Sequence, residues 1–218
     1  MKANIKKLIE RKGPLAENEV KDLLNAYGIR TTNYKLVSNI EDLKNLGLKF
    51  PVVLKVCANK ILHKTEVGGV KLDIKDMDEL KKVFKEFKKK FPNENLLVDQ
   101  MEDKGVEIII GLVQDPTFGL SIMFGLGGIF TELYKDVTFR IVPITKYDAE
   151  QMVNEIKGKE LLEGFRNIPA NKKLVIDLIL KTSKIGNELS KHIDQMDLNP
   201  VFVYENDICV VDAKLILK

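Results

Sequence analysis

Apolar and polar positions alternate with several different periods along the first hundred residues. The segment "LAENEVKDLLNAYG" (15–28) has apolar residues at helical spacing and a glycine, Gly28, where a helix would stop. It is followed by "TTNYKLV" (31–37), which predicts a short strand, and by "IEDLKNLG" (40–47), which predicts a small helix. The chain therefore begins with mixed helices and strands.

The next apolar runs predict a sheet with one covering helix. "PVVLKVC" (51–57) has the composition of a buried strand, residues 58–69 read as a loop, and "GVKLDI" (69–74) reads as a second strand. Residues 76–90 place Leu80, Val83, Phe84 and Phe87 on one face of a helix. "NLLVDQM" (95–101) predicts the strand that closes this first lobe.

Beyond residue 101 the pattern changes to consecutive strands. The runs "VEIIIGLVQD" (106–115), "GLSIMFGLG" (119–127) and "VTFRIVPI" (137–144) are separated by turn signals, and a helical block (147–165) and a long helix (171–190) follow. "DLNPVFVY" (197–204) and "DICVVDAKLIL" (207–217) predict a final hairpin. Clustered rather than alternating elements indicate an α+β protein of two lobes, about 30–99 and about 100–218; the helix 15–28 is compatible with packing on lobe two.

The composition of the chain argues against a nucleic-acid-binding protein and against a membrane-spanning one. A net charge of +3 with 31% charged residues lacks the basic excess of a nucleic-acid-binding protein, and the densest basic run belongs to the amphipathic helix 76–90. No stretch approaches the roughly 18 apolar residues of a membrane span, and the N-terminus lacks an apolar leader region. Cys57 and Cys209 each sit in an apolar run, as buried reduced thiols do. We expect a soluble, cytoplasmic protein.

Polar residues inside apolar runs mark two candidate sites. Lys55 interrupts the strand 51–57, so its ammonium group either points into solvent or faces a cleft and binds an anion such as phosphate. In the final hairpin, counting back from the turn at 205–207 places Asn199 opposite Asp212. Two oxygen ligands on paired strands suit a Mg²⁺ ion shared with substrate phosphates. Turn and strand-end chemistry is the alternative explanation.

The glycine-rich stretch "MFGLGGIFTE" (123–132) is a third candidate. Gly125, Gly127 and Gly128 permit close approach of the backbone to a ligand such as a phosphate, but their spacing matches neither common phosphate-binding fingerprint. A bulged turn explains the glycines equally well.

Taken together, the segments "PVVLKVCANKILHKTEVGGVKLDI", "VEIIIGLVQDPTFGLSIMFGLGGIFTELYKDVTFRIVPI" and "DLNPVFVYENDICVVDAKL" resemble the β subunit of the ADP-forming acetyl-CoA synthetases, which are acyl-CoA ligases. They resemble more distantly the succinyl-CoA synthetase β chain. The resemblance covers residues 15–216 and implies an ATP-grasp fold, in which two α+β lobes hold ATP or ADP between them.

The resemblance also implies a set of site residues. Lys55 matches the lysine that contacts nucleotide phosphates. Asp99, Gln100 and Met101 match the segment that borders the adenine through backbone groups, and Glu107 matches a residue that reaches the ribose or the polyphosphate. Asn199 and Asp212 match the Mg²⁺ ligands, whereas Asp197 stands where the succinyl-CoA enzymes have a longer glutamate. We expect Gly127 and Gly128 to lie beside the nucleotide.

His63 falls on the phosphate-carrying histidine of the pattern "HK-[ST]-[DE]-VGG". A largely neutral imidazole has a free nitrogen lone pair that can attack phosphorus, so phosphohistidine chemistry needs no separate base. Glu66 is a candidate for orienting the ring, and Gly68 and Gly69 would allow loop movement. The implied reaction is acyl-CoA + ADP + phosphate ⇌ carboxylic acid + ATP + CoA, with CoA chemistry supplied by a separate α subunit in an α₂β₂ heterotetramer.

Two other functions stay open. The chain is alternatively a regulatory or structural ATP-grasp module of an acyl-CoA synthetase or acetyltransferase system, although such a module has no need of Lys55, His63, Glu107, Asn199 and Asp212 together. It is alternatively a carboxylate–amine ligase domain, although those enzymes carry their own acceptor site and do not need a phosphohistidine.

Overall fold

The computed structural model describes residues 3–61, 64–128 and 135–218, with backbone only at residues 3, 4 and 167. The chain divides into two compact units. Unit 1 comprises residues 1–13, 20–31 and 104–218, and unit 2 comprises residues 14–19 and 32–103. The boundary at Glu19–Val20 falls within helix α2 (Glu17–Ala26), which therefore contributes residues to both units.

Unit 2 is built on a four-stranded antiparallel sheet of order β2-β5-β3-β4. Its strands are β2 (Tyr34–Val37), β3 (Val52–Cys57), β4 (Val70–Ile74) and β5 (Asn95–Gln100). Helix α3 (Met77–Lys90) packs on β3 and β4, and a short 3-10 helix (Ile40–Asn45) lies beside it. Asp76 accepts hydrogen bonds from the Asp78 and Glu79 amides in the first turn of α3, which fixes where this helix starts.

The apolar core of unit 2 lies between α3 and one face of this sheet. Successive side chains of a strand point to opposite faces, so Val52, Leu54 and Val56 face the helix. Leu80, Val83, Phe84 and Phe87 supply the helical side of this core, as the helical spacing predicted. The other face of β3 therefore carries Val53, Lys55 and Cys57, and all six residues of the strand are buried.

Unit 1 is built on a seven-stranded sheet of order β1-β11-β9-β6-β7-β8, with β10 paired to β9 outside this path. Its strands are β1 (Gly13–Pro14), β6 (Val106–Asp115), β7 (Gly119–Leu126), β8 (Val137–Ile141), β9 (Ile193–Val203), β10 (Ile208–Val210) and β11 (Ala213–Leu217). Helices α4 (Lys146–Glu155) and α5 (Lys172–Glu188) pack together and cover β6 and β7. A further helix, α1, spans Ala3–Ile9.

Most elements match the sequence-based predictions, and the differences have local causes. The block 147–165 is helical only as far as Glu155 and continues as two 3-10 segments, Lys159–Glu163 and Phe165–Asn167. The run 207–217 forms two strands, β10 and β11, because pairing is interrupted at Val211–Asp212. Helix α1 was not predicted.

Both cysteines are buried and free, as expected, and burial raises the pKa of the Cys57 thiol. Across residues 3–61, 64–128 and 135–218, the structure contains no helix with the length and apolar character needed to cross a bilayer.

Candidate functional site

Lys55 lies in a buried cluster of charged side chains in unit 2. Its Nζ is 2.7 Å from Glu17 Oε1 and 2.7 Å from Asp99 Oδ2. Lys55 and Glu17 are each 5% exposed, and Asp99 is 1% exposed. The alternative in which Lys55 points into solvent is therefore wrong, because its ammonium group is buried and bound by two carboxylates.

The strand register explains how this cluster assembles. On β3 and β5, Lys55 pairs with Leu97 and Val53 pairs with Asp99, so Lys55 and Asp99 are diagonal neighbours on the face away from α3. Thr32 Oγ1 donates to Asp99 Oδ1 at 2.9 Å, so both oxygens of this buried carboxylate have a partner. The Asp99 side chain thus binds Lys55 and Thr32 within unit 2, an interaction that the sequence did not predict.

Glu17 and Lys64 are the residues of this cluster that sequence reasoning missed. Lys64 Nζ donates to Glu17 Oε2, and Lys64 is 7% exposed. Glu17 is the first residue of helix α2, where an acidic residue is expected in any case because it interacts favourably with the helix dipole. Nothing in the local sequence pattern therefore signalled that it binds two lysines.

The predicted adenine-bordering segment lies at the end of β5. The Gln100 N–H donates to Asn33 O at 2.8 Å and the Met101 N–H donates to Pro51 O at 3.1 Å. Both amides are thus already engaged within unit 2. An adenine base that accepted hydrogen bonds from these amides would have to share them with Asn33 O and Pro51 O. The carbonyl groups of the segment are therefore favoured as the hydrogen-bonding partners of the base.

Glu107, Gly127 and Gly128 lie together in unit 1. The Gly127 N–H donates to Glu107 O at 2.8 Å. A Cβ at Gly127 would lie 2.9 Å from Glu107 Cβ, and a Cβ at Gly128 would lie 3.1 Å from Glu107 Oε2. Close approach of Glu107 is thus one physical reason for both glycines.

These three residues line a cavity of about 400 Å³ in unit 1. Its other lining residues are Gly105, Val106, Leu126, Leu161 and Ile168. The cavity therefore combines one carboxylate with an apolar wall. Leu161 lies in a 3-10 segment within the block that the sequence predicted as helix, and Ile168 follows the next 3-10 segment. Gly125 is instead packed against β8, where a Cβ would lie 2.7 Å from Asp136 O.

Asn199 and Asp212 are opposite one another, in agreement with the count along the hairpin. The pairs Val201–Val210 and Leu198–Ala213 flank them, and the Asn199 N–H donates to Asp212 O at 3.1 Å. Asn199 is exposed and Asp212 is half-buried. Two oxygen-bearing side chains at one point of a strand pair fit a Mg²⁺ ion that also takes water and phosphate ligands.

Asp197 lies two residues before Asn199 on β9 and pairs across strands with Lys214. Burial raises the pKa of its carboxyl group, Lys214 opposes that shift, and Asp212 adds to it. Among the described residues, no three or more histidine, cysteine, aspartate or glutamate side chains form a group that could hold a metal ion. A Mg²⁺ ion at Asn199 and Asp212 would take further oxygen ligands besides these two side chains, as such ions commonly do from phosphate and water.

The predicted phosphate carrier, His63, lies outside the described residues, so its role stays a prediction. Glu66, the candidate for orienting its ring, is exposed. Gly69 packs so closely that a Cβ would lie 2.5 Å from Val56 Cγ1, and Gly68 has a φ of +59°. Close packing and a left-handed backbone thus account for these two glycines, and the loop movement predicted for them is untested.

Comparison with known proteins gives concordant matches. The family model described as the ATP-grasp domain matches residues 6–217. Subunit beta of the ADP-forming acetate–CoA ligase II of Pyrococcus furiosus is 41% identical over 235 aligned residues, which cover 100% of both chains. The ADP-forming acetate–CoA ligase II of Archaeoglobus fulgidus is 42% identical over 93% of this chain, but the match covers only 30% of that longer protein.

A solved structure agrees with these matches. It is of the dinucleotide-forming acetyl-coenzyme A synthetase 1 of Ca. Korarchaeum cryptofilum, in complex with coenzyme A and Mg-AMPPCP, with its phosphohistidine segment pointing towards the nucleotide binding site. The TM-score is 0.82 at 41% identity, covering 97% of this chain and 96% of that chain.

Proposed function

The chain belongs to the ATP-grasp family and, within it, to the β subunits of the ADP-forming acetate–CoA ligases, and we propose that it is the nucleotide-binding subunit of such a ligase. In this role it passes a phosphoryl group between His63 and ADP. The observation that carries the proposal is the full-length match to a separate β subunit. The paired positions of Asn199 and Asp212 and the cavity at Glu107 support it.

The chemistry assigned to the chain is one reversible transfer. The bond between phosphorus and the His63 ring nitrogen breaks as a bond forms from the terminal phosphate oxygen of ADP to phosphorus. The other ring nitrogen carries a proton throughout, so the first nitrogen recovers its lone pair, the ring leaves as neutral imidazole, and the step needs no proton acceptor. The rate depends on fixed positive charge near the transferred group, which Lys55 is assigned to supply.

Asn199 and Asp212 are assigned to hold Mg²⁺. A bound Mg²⁺ neutralises phosphate charge and orients the phosphates. Glu107 is assigned to the ribose or polyphosphate, and Gln100 and Met101 to the base. Asp99, because its carboxylate is bound to Lys55 and Thr32, is assigned to positioning Lys55 rather than to contacting the nucleotide through its side chain.

A partner must supply the acyl-CoA chemistry. The Pyrococcus furiosus relative is a subunit beta, whereas the Archaeoglobus fulgidus relative is a longer chain of which the match is 30%. We assign the remaining chemistry to an α subunit that binds CoA and forms the first phosphohistidine, in an α₂β₂ assembly.

Labelling with γ-phosphate-labelled ATP tests the proposal. The full chain, alone and with an α subunit, is incubated with Mg²⁺ and labelled ATP and is assayed for an acid-labile, base-stable adduct. We expect the adduct in wild type and in His192→Ala, and its loss in His63→Ala. A label that persists in His63→Ala would remove His63 from the mechanism. No label in any of the proteins, even with an α subunit, would favour the regulatory module.

A further inference from the structure

We propose that Glu17 is a positioning residue whose single carboxylate sets both the phosphate-binding lysine and the residue that follows the phosphate carrier. The inference rests on the proposed function for the meaning of Lys55 and His63. The contacts that join Lys55 through Glu17 to Lys64 do not depend on that function. No pattern in the sequence assigned Glu17 a role.

The two oxygens of Glu17 are divided between two lysines. Oε1 lies 2.7 Å from Lys55 Nζ, and Oε2 accepts a hydrogen bond from Lys64 Nζ. All three residues are at most 7% exposed. Buried charges are costly unless paired, so this carboxylate strongly favours the geometry in which both ammonium groups stay in contact with it.

Glu17 is itself held in place by the start of helix α2. The Ala16 N–H donates to Glu19 Oε2 at 2.9 Å, Tyr34 Oη donates to Asn18 O at 3.1 Å, and Cys57 Sγ donates to Asn18 Oδ1 at 3.2 Å. These contacts fix the residues on both sides of Glu17 within unit 2. The carboxylate is therefore a fixed point and not a flexible surface group.

Lys64 is the first described residue after His63, and both its side chain and its backbone carbonyl are hydrogen-bonded. The Gly69 N–H donates to Lys64 O at 2.6 Å, and the Val56 N–H donates to Gly69 O at 2.8 Å. Residues 64–69 are thus joined to β3 next to Lys55. The Glu17 contact adds a side-chain anchor at the residue bonded to the predicted carrier.

The charge balance predicts how the cluster responds to loss of Glu17. Lys55 has a second carboxylate partner, Asp99, at 2.7 Å. Glu17→Gln removes one negative charge but keeps the size and shape of the side chain. Lys55 keeps its contact with Asp99, whereas Lys64 loses its charge-assisted contact with Glu17 Oε2, so we expect Lys64 to be displaced. Misplacing the carrier segment should slow transfer more than it weakens nucleotide binding.

Amide hydrogen exchange in the full chain tests the anchor directly. In Glu17→Gln we expect exchange at the Gly69 and Val56 amides to rise by about 10-fold or more, because a charge-assisted hydrogen bond is lost. The matched control is Glu86→Gln, which removes an exposed carboxylate of α3 in the same unit. Equal Gly69 exchange in the two variants would overturn the proposal. Lys64→Met, which leaves Glu17 intact, should raise Gly69 exchange similarly and covers the case in which Glu17→Gln does not fold.

The rate of adduct formation in the assembled complex tests the functional consequence. We expect Glu17→Gln to lower the maximal rate by about 10–100-fold, with the half-saturating ATP concentration within about 3-fold of wild type. If Glu17 acts through Lys64, the double variant with Lys64→Met should be no more than about 3-fold slower than the slower single variant. Fully multiplicative losses would contradict this. Absence of any adduct in wild type would reject the proposed function, while the exchange experiment would still decide the anchor.

Discussion

The candidate site residues of the two units differ in burial and in how their polar groups are paired. In unit 2, the charges of Glu17, Lys55, Lys64 and Asp99 are buried and satisfied by one another. In unit 1, Asn199 is exposed and Asp212 is half-buried, at the end of a strand pair. A buried, mutually paired cluster fixes geometry, whereas side chains nearer the solvent can be reached by a ligand.

The comparison changes how a buried lysine should be interpreted. The two negative charges of Glu17 and Asp99 exceed the single positive charge of Lys55. The attraction of Lys55 for a phosphate therefore depends on the charges of the other side chains in the cluster. Lys64 adds a second positive side chain next to Glu17.

Lys55→Met should have the largest effect, because it leaves Glu17 and Asp99 as buried carboxylates that lack this partner. We expect the free energy of unfolding to fall by about 3–5 kcal/mol. Urea denaturation of the full chain measures it, with Lys60→Met, at an exposed position of the same unit, as the control. A loss below about 1 kcal/mol would show that the cluster is not a tightly coupled buried network.

Gly127→Ala extends the contrast to the cavity at Glu107. The added Cβ would lie 2.9 Å from Glu107 Cβ, so we expect a loss of about 1–3 kcal/mol in unfolding free energy and weaker binding of ADP. Gly111→Ala on the same strand pair is the control, because its Cβ would meet Met123 Cε and Met196 O at an ordinary 3.4 Å. Equal effects of both substitutions would argue against a specific role for the Gly127 contact.

Asp212→Asn should separate binding from stability. We expect the affinity for ADP in the presence of Mg²⁺ to fall by about 10-fold or more, and the unfolding free energy to change by less than about 1 kcal/mol. Calorimetric titration with and without Mg²⁺ measures the change in binding. Asp194→Asn, on the exposed part of β9, controls for lost negative charge. An unchanged Mg²⁺ dependence would remove Asp212 from the metal site.

Tyr27→Phe should have the smallest effect and gives a benchmark for a single accessible contact. Tyr27 Oη donates to Glu188 Oε2 at 2.8 Å, and burial, followed by Glu188, raises the pKa of Tyr27 from 10.0 to about 12. The folded chain thus holds this proton more tightly than the unfolded chain does. The stabilisation is complete below about pH 10 and is lost as the pH rises towards 12.

Unfolding measured between pH 9 and 12 tests this pH dependence. The wild-type chain should lose stability across that window more steeply than Tyr27→Phe. The difference between the two proteins should shrink with rising pH, and parallel curves would contradict the assigned cause.

The family and the ATP-grasp fold were predictable from the sequence and are confirmed by the comparisons. The reason is that several separate segments carried the same resemblance. Strands such as Val106–Asp115 and the helix Met77–Lys90 were also predictable, because their apolar periods are long and uninterrupted. The facing positions of Asn199 and Asp212 followed from counting across a short hairpin.

The bridge from Lys55 through Glu17 to Lys64 was not predictable. Its members are 38 and 47 residues from Glu17 along the chain, and no local period links residues so far apart. The sequence by itself determined the elements and which oxygen-bearing residues face one another across a turn, because those follow from patterns within short stretches of the chain. It indicated the family through the resemblance of several separate segments. Only the tertiary structure decided which charges are buried together, because pairing in a dry interior depends on which faces of distant elements pack against each other.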